Sequence, residues 1–157
     1  MSKTTPATLA LTKADIAFTL ASYDYDPNAE RVGLQAAEAI GAAPGEVFKT
    51  LMLELDGKPV CAIVPSDEEV NMKKLAAALG GKSASMMKPA DAERLTGYKV
   101  GGISPLGQRK RGPTALDELS LLYDEIYLNG GQRGLQIRMR PADLVAVLDC
   151  KVADLTR

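Results

Sequence analysis

The 157-residue sequence contains no histidine, the side chain that proteins use most often as a general base and as a metal ligand. The serine–histidine–aspartate and cysteine–histidine forms of nucleophilic catalysis are therefore excluded. The two cysteines, Cys61 and Cys150, are far apart in the sequence and make no zinc site without histidine. We expect them to be small buried side chains in a reducing compartment, and we expect no metal at the site.

Several other signals of a function class are also missing. No apolar run approaches the roughly 20 residues that span a bilayer, and residues 1–5 contain no apolar signal core. Neither the phosphate-binding loop Gly-x-x-x-x-Gly-Lys-Ser/Thr nor the dinucleotide fingerprint Gly-x-Gly-x-x-Gly occurs. The sequence therefore argues against nucleotide hydrolysis and hydride transfer and predicts a cytoplasmic protein that needs no cofactor.

What is present is an ordinary globular composition, with 46% apolar residues, 25% charged residues and a formal net charge of −1. This length favours a single domain over residues 1–157 that can bury its own core. A nearly neutral chain binds nucleic acid only through a local basic patch. The best candidate is Arg109-Lys110-Arg111, with a solvated surface run as the alternative.

Segments of helical periodicity alternate along the chain with segments of strand periodicity. The predicted helices cover residues 6–20, 34–40, 72–79 (capped by Asn71), 89–95 and 141–148. The predicted strands cover residues 21–25, 47–55, 59–64, 82–86, 113–116, 125–128 and 135–139. Because two or three of the strand pairs are hairpins with turns such as Asp56-Gly57, we expect an α+β fold with a mixed, largely antiparallel sheet flanked by helices.

Lys49 is the first candidate site residue, because it shares a strand face with apolar side chains only: Val47, Leu51, Leu53 and Leu55. A partly buried lysine costs free energy unless its ammonium group meets a partner or a ligand. The alternative is that the side chain reaches solvent at the strand end or pairs with Glu46 or Glu54.

A glycine-rich segment over residues 97–111 is the second candidate. Its four glycines and one proline exclude a plain helix, although residues 100–105 can still be extended. Gly101 and Gly102 let backbone amides approach a ligand oxygen with no Cβ between them, and the Ser104 hydroxyl and three cations follow. The segment suits a polar, anionic ligand, and the alternative is a tight structural turn.

These motifs resemble the YbaK/EbsC family of aminoacyl-tRNA editing proteins. The resemblance rests on Phe48-Lys49-Thr50-Leu51, on Gly-Gly-Ile-Ser-Pro-Leu-Gly-Gln over residues 101–108, and on Gly-Gly-Gln-Arg-Gly-Leu over residues 130–135. It implies a partly barrel-like sheet and assigns catalysis to Lys49, Gly101 and Gly102. It also implies substrate-binding roles for Tyr23, Thr50, Ile103, Ser104, Pro105, Gly130 and Gly131.

Two of these assignments have alternatives, and two positions depart from the family pattern. Asn129-Gly130-Gly131, which the family uses beside the terminal adenosine, is also a favourable hairpin turn. Tyr23 could simply be a tyrosine at a strand edge. Gln132 replaces the family lysine, and Gln136 occupies a position that varies among relatives. Both changes remove charge near the expected pocket.

The resemblance implies hydrolysis of mischarged aminoacyl-tRNA, chiefly Cys-tRNA(Pro). Since no serine or cysteine is visibly paired with a base, the simplest mechanism uses the thiol of the substrate as the nucleophile. The expected partners are the 3′-terminal adenosine and acceptor stem of the tRNA, with Arg109, Lys110 and Arg111 on its backbone, and prolyl-tRNA synthetase. The alternatives are a deacylase for alanine or serine that uses water, and a non-catalytic RNA-binding or nucleotide-binding module.

Overall fold

The computed structural model describes residues 4–28 and 32–157. The helices are α1 (Pro6–Lys13), α2 (Val32–Ile40), α3 (Met72–Ala78), α4 (Pro89–Thr96) and α5 (Pro141–Leu148), with short 3-10 helices at Pro44–Glu46 and Glu118–Leu122. The strands are β1 (Thr19–Ser22), β2 (Phe48–Leu55), β3 (Lys58–Pro65), β4 (Ala84–Met86), β5 (Thr114–Asp117), β6 (Ile126–Asn129), β7 (Leu135–Met139) and β8 (Lys151–Ala153).

The strands form two sheets, one of five strands in the order β4-β2-β3-β5-β8 and one of three in the order β1-β7-β6. The strand pairs are antiparallel except for β3–β5 and β5–β8, which are parallel. A parallel bridge between Val47 and Tyr127 joins the two sheets next to the start of β2. The predicted α+β class with a mixed, largely antiparallel sheet is thus confirmed.

Strand β2 is buried on both faces, and this position decides the setting of Lys49. On one face Phe48 and Met52 join the main core, which unites both sheets with α1 and α5. On the other face Leu53 packs with Leu75 of α3 in a second apolar cluster. Lys49 lies on this second side, directly opposite Val64 of β3, and is half-buried as expected.

Four local features of the structure differ from the predictions. Helix α1 ends at Lys13 rather than at residue 20, because the chain turns through Asp15 at φ +58°, and β1 begins earlier than expected, at Thr19. Residues 100–105 form a turn and a loop instead of an extended segment, because Gly101 adopts φ +91°. The three-residue strand β8 was not predicted at all.

The buried carboxylate of Asp117 connects the end of β5 to the last residues of the chain. Its Oδ1 accepts a hydrogen bond of 2.9 Å from the Leu119 amide at the start of a 3-10 helix. Its Oδ2 accepts one of 2.8 Å from the amide of Leu155, a buried side chain of the second cluster. Hydrogen bonds to a charged group stabilise more than neutral ones do.

We expect Asp117→Ala to lower the free energy of unfolding by about 2–4 kcal/mol, since two charge-assisted bonds vanish and two amides lose their acceptor. Urea unfolding followed by circular dichroism measures the change. The control is Glu118→Ala, an exposed neighbour that should change stability by less than about 0.5 kcal/mol. Equal effects of the two substitutions would contradict this role for Asp117.

Candidate active site

Two glycine-containing loops meet beside the sheets. We call residues 99–107 the first glycine loop and residues 129–134 the second glycine loop. Asn129 Nδ2 donates a 3.0 Å hydrogen bond to the Gly101 carbonyl, and Arg133 Nε donates one of 2.8 Å to the Val100 carbonyl. The second loop therefore holds the backbone of the first at two successive residues.

Gly101 and Gly102 are both crowded at the position that a Cβ would take, Gly101 by the Tyr25 side chain and Gly102 by the backbone of the second loop. A Cβ at Gly101, which has φ +91°, would lie 2.5 Å from the Tyr25 hydroxyl oxygen. A Cβ at Gly102 would lie 2.8 Å from the Arg133 backbone nitrogen. The adjacent glycines are thus required by packing, whatever else they do.

The amide groups of the first loop differ in what they are free to bind. The Gly102 amide donates a 2.8 Å hydrogen bond to the Lys99 carbonyl, so it does not point to a ligand as the sequence analysis expected. The amides of Gly101, Ile103 and Ser104 donate no hydrogen bond within residues 4–28 and 32–157. Because Ser104 is fully buried, the amides of Gly101 and Ile103 are the two that can polarise a ligand carbonyl.

The side chains of Ser104 and Gln108 hold the first loop in place. Ser104 is fully buried and its Oγ accepts a 3.2 Å hydrogen bond from the Leu106 amide, so the hydroxyl is structural, and the following Pro105 is buried as well. Gln108 Nε2 donates to the Ser104 carbonyl at 3.0 Å and lies 3.5 Å from Met52 Sδ on β2. Ile103 packs against the same main core, so the loop rests on β2.

Lys49 and Thr50 belong to this same strand. The Thr50 hydroxyl is buried and has no hydrogen-bond partner within the described part of the chain. A buried hydroxyl without a partner costs free energy, which makes it a candidate ligand group. Lys49 and Thr50 point to opposite faces of β2. Thr50 lies on the main-core face, against which the first glycine loop packs, whereas Lys49 lies on the face of the second apolar cluster. The structure thus brings Thr50, and not Lys49, to the side of β2 that faces the loop.

Tyr23 follows β1 and packs between that sheet and α2. Its amide donates a 2.9 Å hydrogen bond to the Gly134 carbonyl, and its ring packs with Val47. Burial raises the pKa of Tyr23, the nearby Tyr25 phenol adds to this rise, and the Gln136 side chain and Gly134 backbone offset part of it. The Tyr23 hydroxyl and Gln136 Oε1 are nevertheless both buried without a bond of proper hydrogen-bond geometry to any described residue.

The structure adds Tyr25 and Asn129 to the candidate site. Sequence reasoning treated Asn129 only as a turn residue and gave Tyr25 no role, although both lie within or beside the quoted motifs. Asn129 Oδ1 also accepts a 2.7 Å hydrogen bond from the Gly131 amide, so one side chain organises both loops. Local periodicity does not indicate the contacts of Asn129 and Tyr25 with Gly101, because they join residues that are distant in the chain.

The three cations after the first loop are not equivalent. The amides of Arg109 and Lys110 bond to the carbonyls of Thr96 and Leu95 at the end of α4. The Arg111 guanidinium donates to the Leu148 carbonyl at the carboxyl end of α5, a favourable position for a positive charge. Arg111 therefore has an intramolecular role, and tRNA contact by the three residues stays a prediction.

The cysteines are buried and free, and burial raises the pKa of Cys61 to about 12 and also raises the pKa of Cys150. Because a thiolate is the reactive form, neither is suited to be a nucleophile. Among the described residues, no three His, Cys, Asp or Glu side chains are grouped so that they could hold a metal ion. No helix in the described part of the chain is both long and apolar enough to cross a membrane.

The chain belongs to the aminoacyl-tRNA editing domain family, whose model matches residues 26–147. It is 38% identical over 121 residues to the Enterococcus faecalis protein named "Putative Cys-tRNA(Pro)/Cys-tRNA(Cys) deacylase EbsC", covering 76% of this chain and 74% of that protein. It is 28% identical over 126 residues to the Escherichia coli K12 "Multifunctional Ser/Thr-tRNA deacylase ProXp-y", covering 77% and 75%.

A solved structure described as "a putative trans-editing enzyme for prolyl tRNA synthetase" has the same fold, with a TM-score of 0.81 and 26% identity over 97% of this chain and 95% of that one. The predicted family resemblance is thus confirmed. The relatives are named as deacylases, enzymes that hydrolyse an ester. The roles of the individual site residues stay predictions.

We expect the Cys61 thiol to react with a disulfide reagent at pH 8 at least about a hundredfold more slowly than in urea-unfolded protein. A pKa raised by burial leaves far less thiolate at this pH, and the side chain is also shielded. Labelling rates of the Cys150→Ser variant isolate Cys61. A native rate equal to the unfolded rate would contradict both the raised pKa and the burial.

Proposed function

We propose that this protein hydrolyses the ester bond of mischarged aminoacyl-tRNA, chiefly Cys-tRNA(Pro). One observation carries the proposal: the amides of Gly101 and Ile103 donate no hydrogen bond within the described ranges, and they lie on a loop that packs against the main-core face of β2. Such an arrangement suits an ester carbonyl on which negative charge develops during the reaction. The names of the relatives supply the substrate class.

The protein contributes orientation and carbonyl polarisation, and the nucleophile comes from the substrate. The thiol of the cysteinyl group gives up its proton, its sulfur attacks its own carbonyl carbon, and the bond to the ribose oxygen breaks as that oxygen takes up the proton. The acyl group leaves as a four-membered cyclic thioester, which water then opens to free cysteine. We expect the amides of Gly101 and Ile103 to stabilise the developing oxyanion, and we expect the long side chain of Lys49, which starts on the other face of β2, to reach it past the start of the strand. This assignment accounts for a site whose described residues include no histidine and only buried, high-pKa cysteines.

The remaining site residues shape the pocket. Gly130 and Gly131 bound the terminal adenosine, and a Cβ at Gly131 would lie 2.8 Å from Tyr98 Cε1. Tyr23 and Thr50 offer buried hydroxyls to the substrate. Ile103 and Pro105 provide apolar contact. The Gly102 amide is already bonded to the Lys99 carbonyl, so the role of Gly102 is to let the two loops approach each other without a side chain between them.

The wider setting follows from the substrate. Arg109, Lys110 and Arg111 contact the tRNA backbone, and Arg111 also keeps its bond to the Leu148 carbonyl. Prolyl-tRNA synthetase is the protein partner, as the description of the trans-editing structural neighbour suggests. Residues 1–157 act as one editing domain. The cytoplasm, where tRNA is charged, is the place of action.

A second candidate is hydrolysis of another mischarged tRNA, such as Ser-tRNA, with water as the nucleophile. Two observations favour it. One relative is named as a Ser/Thr-tRNA deacylase, and the buried Tyr23 hydroxyl and Gln136 Oε1, which form no bond of proper hydrogen-bond geometry within the described ranges, offer polar atoms to a substrate hydroxyl or a water molecule. A panel of substrates separates the two candidates from each other and from a binding module without hydrolysis.

Lys49→Ala should reduce the rate of Cys-tRNA(Pro) deacylation roughly tenfold to a few hundredfold, which corresponds to the loss of one charge-assisted hydrogen bond. Single-turnover assays and thermal melts test the rate and the fold together. Lys58→Ala, which removes an exposed lysine from the β2–β3 hairpin, is the matched control and should keep the full rate. Wild-type activity of a folded Lys49→Ala variant would remove Lys49 from the site.

Deacylation of Cys-tRNA(Pro) should be at least roughly tenfold faster than that of Ser-, Ala- or Pro-tRNA(Pro). The sulfur of cysteine is a far better nucleophile than the oxygen of serine, and the side chains of alanine and proline carry no nucleophile. EDTA should leave the rate unchanged. Ser-tRNA(Pro) hydrolysed as fast as Cys-tRNA(Pro) would favour the water mechanism. Loss of turnover on chelation, restored by metal, would contradict a metal-independent site.

A further inference from the structure

A cleft of about 430 Å³ opens beside the candidate active site. Its lining residues include one glycine from each loop, Gly102 and Gly131, and Pro6 at the start of α1. Lys99 and Arg133 also line it, one from each loop. The cleft therefore shares its inner walls with the proposed acyl-adenosine site.

Arg133 is fixed at this cleft by two contacts. Its Nε donates to the Val100 carbonyl at 2.8 Å, and its guanidinium carbon lies 5.3 Å from the centroid of the Tyr25 ring. The two terminal nitrogens of the guanidinium donate to no residue in the described ranges. A guanidinium held in this way presents the two-pronged edge that suits a pair of phosphate oxygens.

The surroundings of the cleft are positive. The exposed Lys99 stands on the opposite loop, and the Arg109 side chain lies against Gly97, where a Cβ would be 3.4 Å from Arg109 Nε. None of the described residues that line the cleft is acidic. The Glu93 carboxylate accepts a 2.9 Å hydrogen bond from the Val100 amide, so that carboxylate is already engaged with the loop.

We propose that this cleft binds the backbone phosphates of the RNA strand that immediately precede the terminal adenosine, through Lys99 and Arg133. The inference rests on the proposed function. If the acyl-adenosine lies against Gly102 and Gly131, the phosphodiester on that adenosine must lie within one nucleotide of them, and the cleft begins there. Two cations with no carboxylate among the lining residues favour a polyanion as the ligand. Because the cleft shares Gly102 and Gly131 with the proposed acyl-adenosine site, the part of the RNA that reaches it is the 3′ end.

Binding of an RNA hairpin with an unpaired, unacylated CCA end, followed by fluorescence anisotropy at several salt concentrations, tests the proposal. The Lys99→Gln/Arg133→Gln variant should bind roughly tenfold more weakly, and the slope of log affinity against log salt should fall by about 0.7 for each phosphate that the variant no longer neutralises. The control is Lys58→Gln/Lys82→Gln, an equal charge change on exposed residues of the β2–β3 region, which should leave the slope unchanged.

Lys99→Gln alone is the second variant, because it removes a charge without touching the bond between Arg133 and Val100. It should lower the slope by about 0.7. Unchanged slopes in both variants would overturn the proposal. Slopes lowered equally by the control pair would also overturn it, because they would show a general charge effect.

Hydrolysis of cysteinyl-adenosine, which carries no phosphate, separates this inference from the proposed function. Lys99→Gln should raise KM for Cys-tRNA(Pro) severalfold while leaving hydrolysis of cysteinyl-adenosine unchanged. Equal losses on both substrates would place Lys99 at the acyl group and overturn the phosphate role. If the wild-type protein hydrolyses neither substrate, the proposed function fails, and the salt slopes still decide whether the cleft binds phosphates.

Discussion

The candidate site depends on one steric constraint, the contact between the backbones of two loops. Gly102 lies so close to the second loop that a Cβ would be 2.8 Å from the Arg133 backbone nitrogen, whereas Gly101 is crowded by the Tyr25 side chain and adopts a φ of +91° that favours glycine. Only glycine permits this approach, and the bond from Asn129 to the Gly101 carbonyl keeps it in place. The open amides of the first loop, the position of Arg133 and the shape of the cleft all follow from it.

Helix α1 and the buried Tyr98 hold the two glycine loops in place. Thr5 caps α1 and its hydroxyl donates a 2.6 Å hydrogen bond to the Gly130 carbonyl, while Gly107 packs against the Pro6 backbone. The buried Tyr98 hydroxyl donates to the Leu106 carbonyl at 2.6 Å. Helix α1 thus touches both loops, and the core under β2 carries them. A site built mainly from backbone needs this support, because its geometry comes from packing rather than from long side chains.

Local patterns predict the parts of the fold that depend on neighbouring residues. Alternation and the turn at Asp56-Gly57 place β2 and β3 within a residue of their observed bounds, and Asn71 caps α3 as expected. The parallel pairs of β5 could not be predicted, because they join segments far apart in the chain. Likewise, the motifs indicate the glycine loops, whereas the bonded state of the Gly102 amide and the contact of Tyr25 with Gly101 depend on tertiary packing.

The central claim is that the first glycine loop holds the reacting carbonyl. A crystal structure with 3′-cysteinylamino-3′-deoxyadenosine, in which an amide replaces the labile ester, tests it most directly. We expect the acyl oxygen within about 3 Å of the amide of Gly101 or Ile103, with the adenosine beside Gly130 and Gly131. An analogue bound with its acyl group away from this loop, for example in the cleft between Tyr123 and Pro141, would contradict the account.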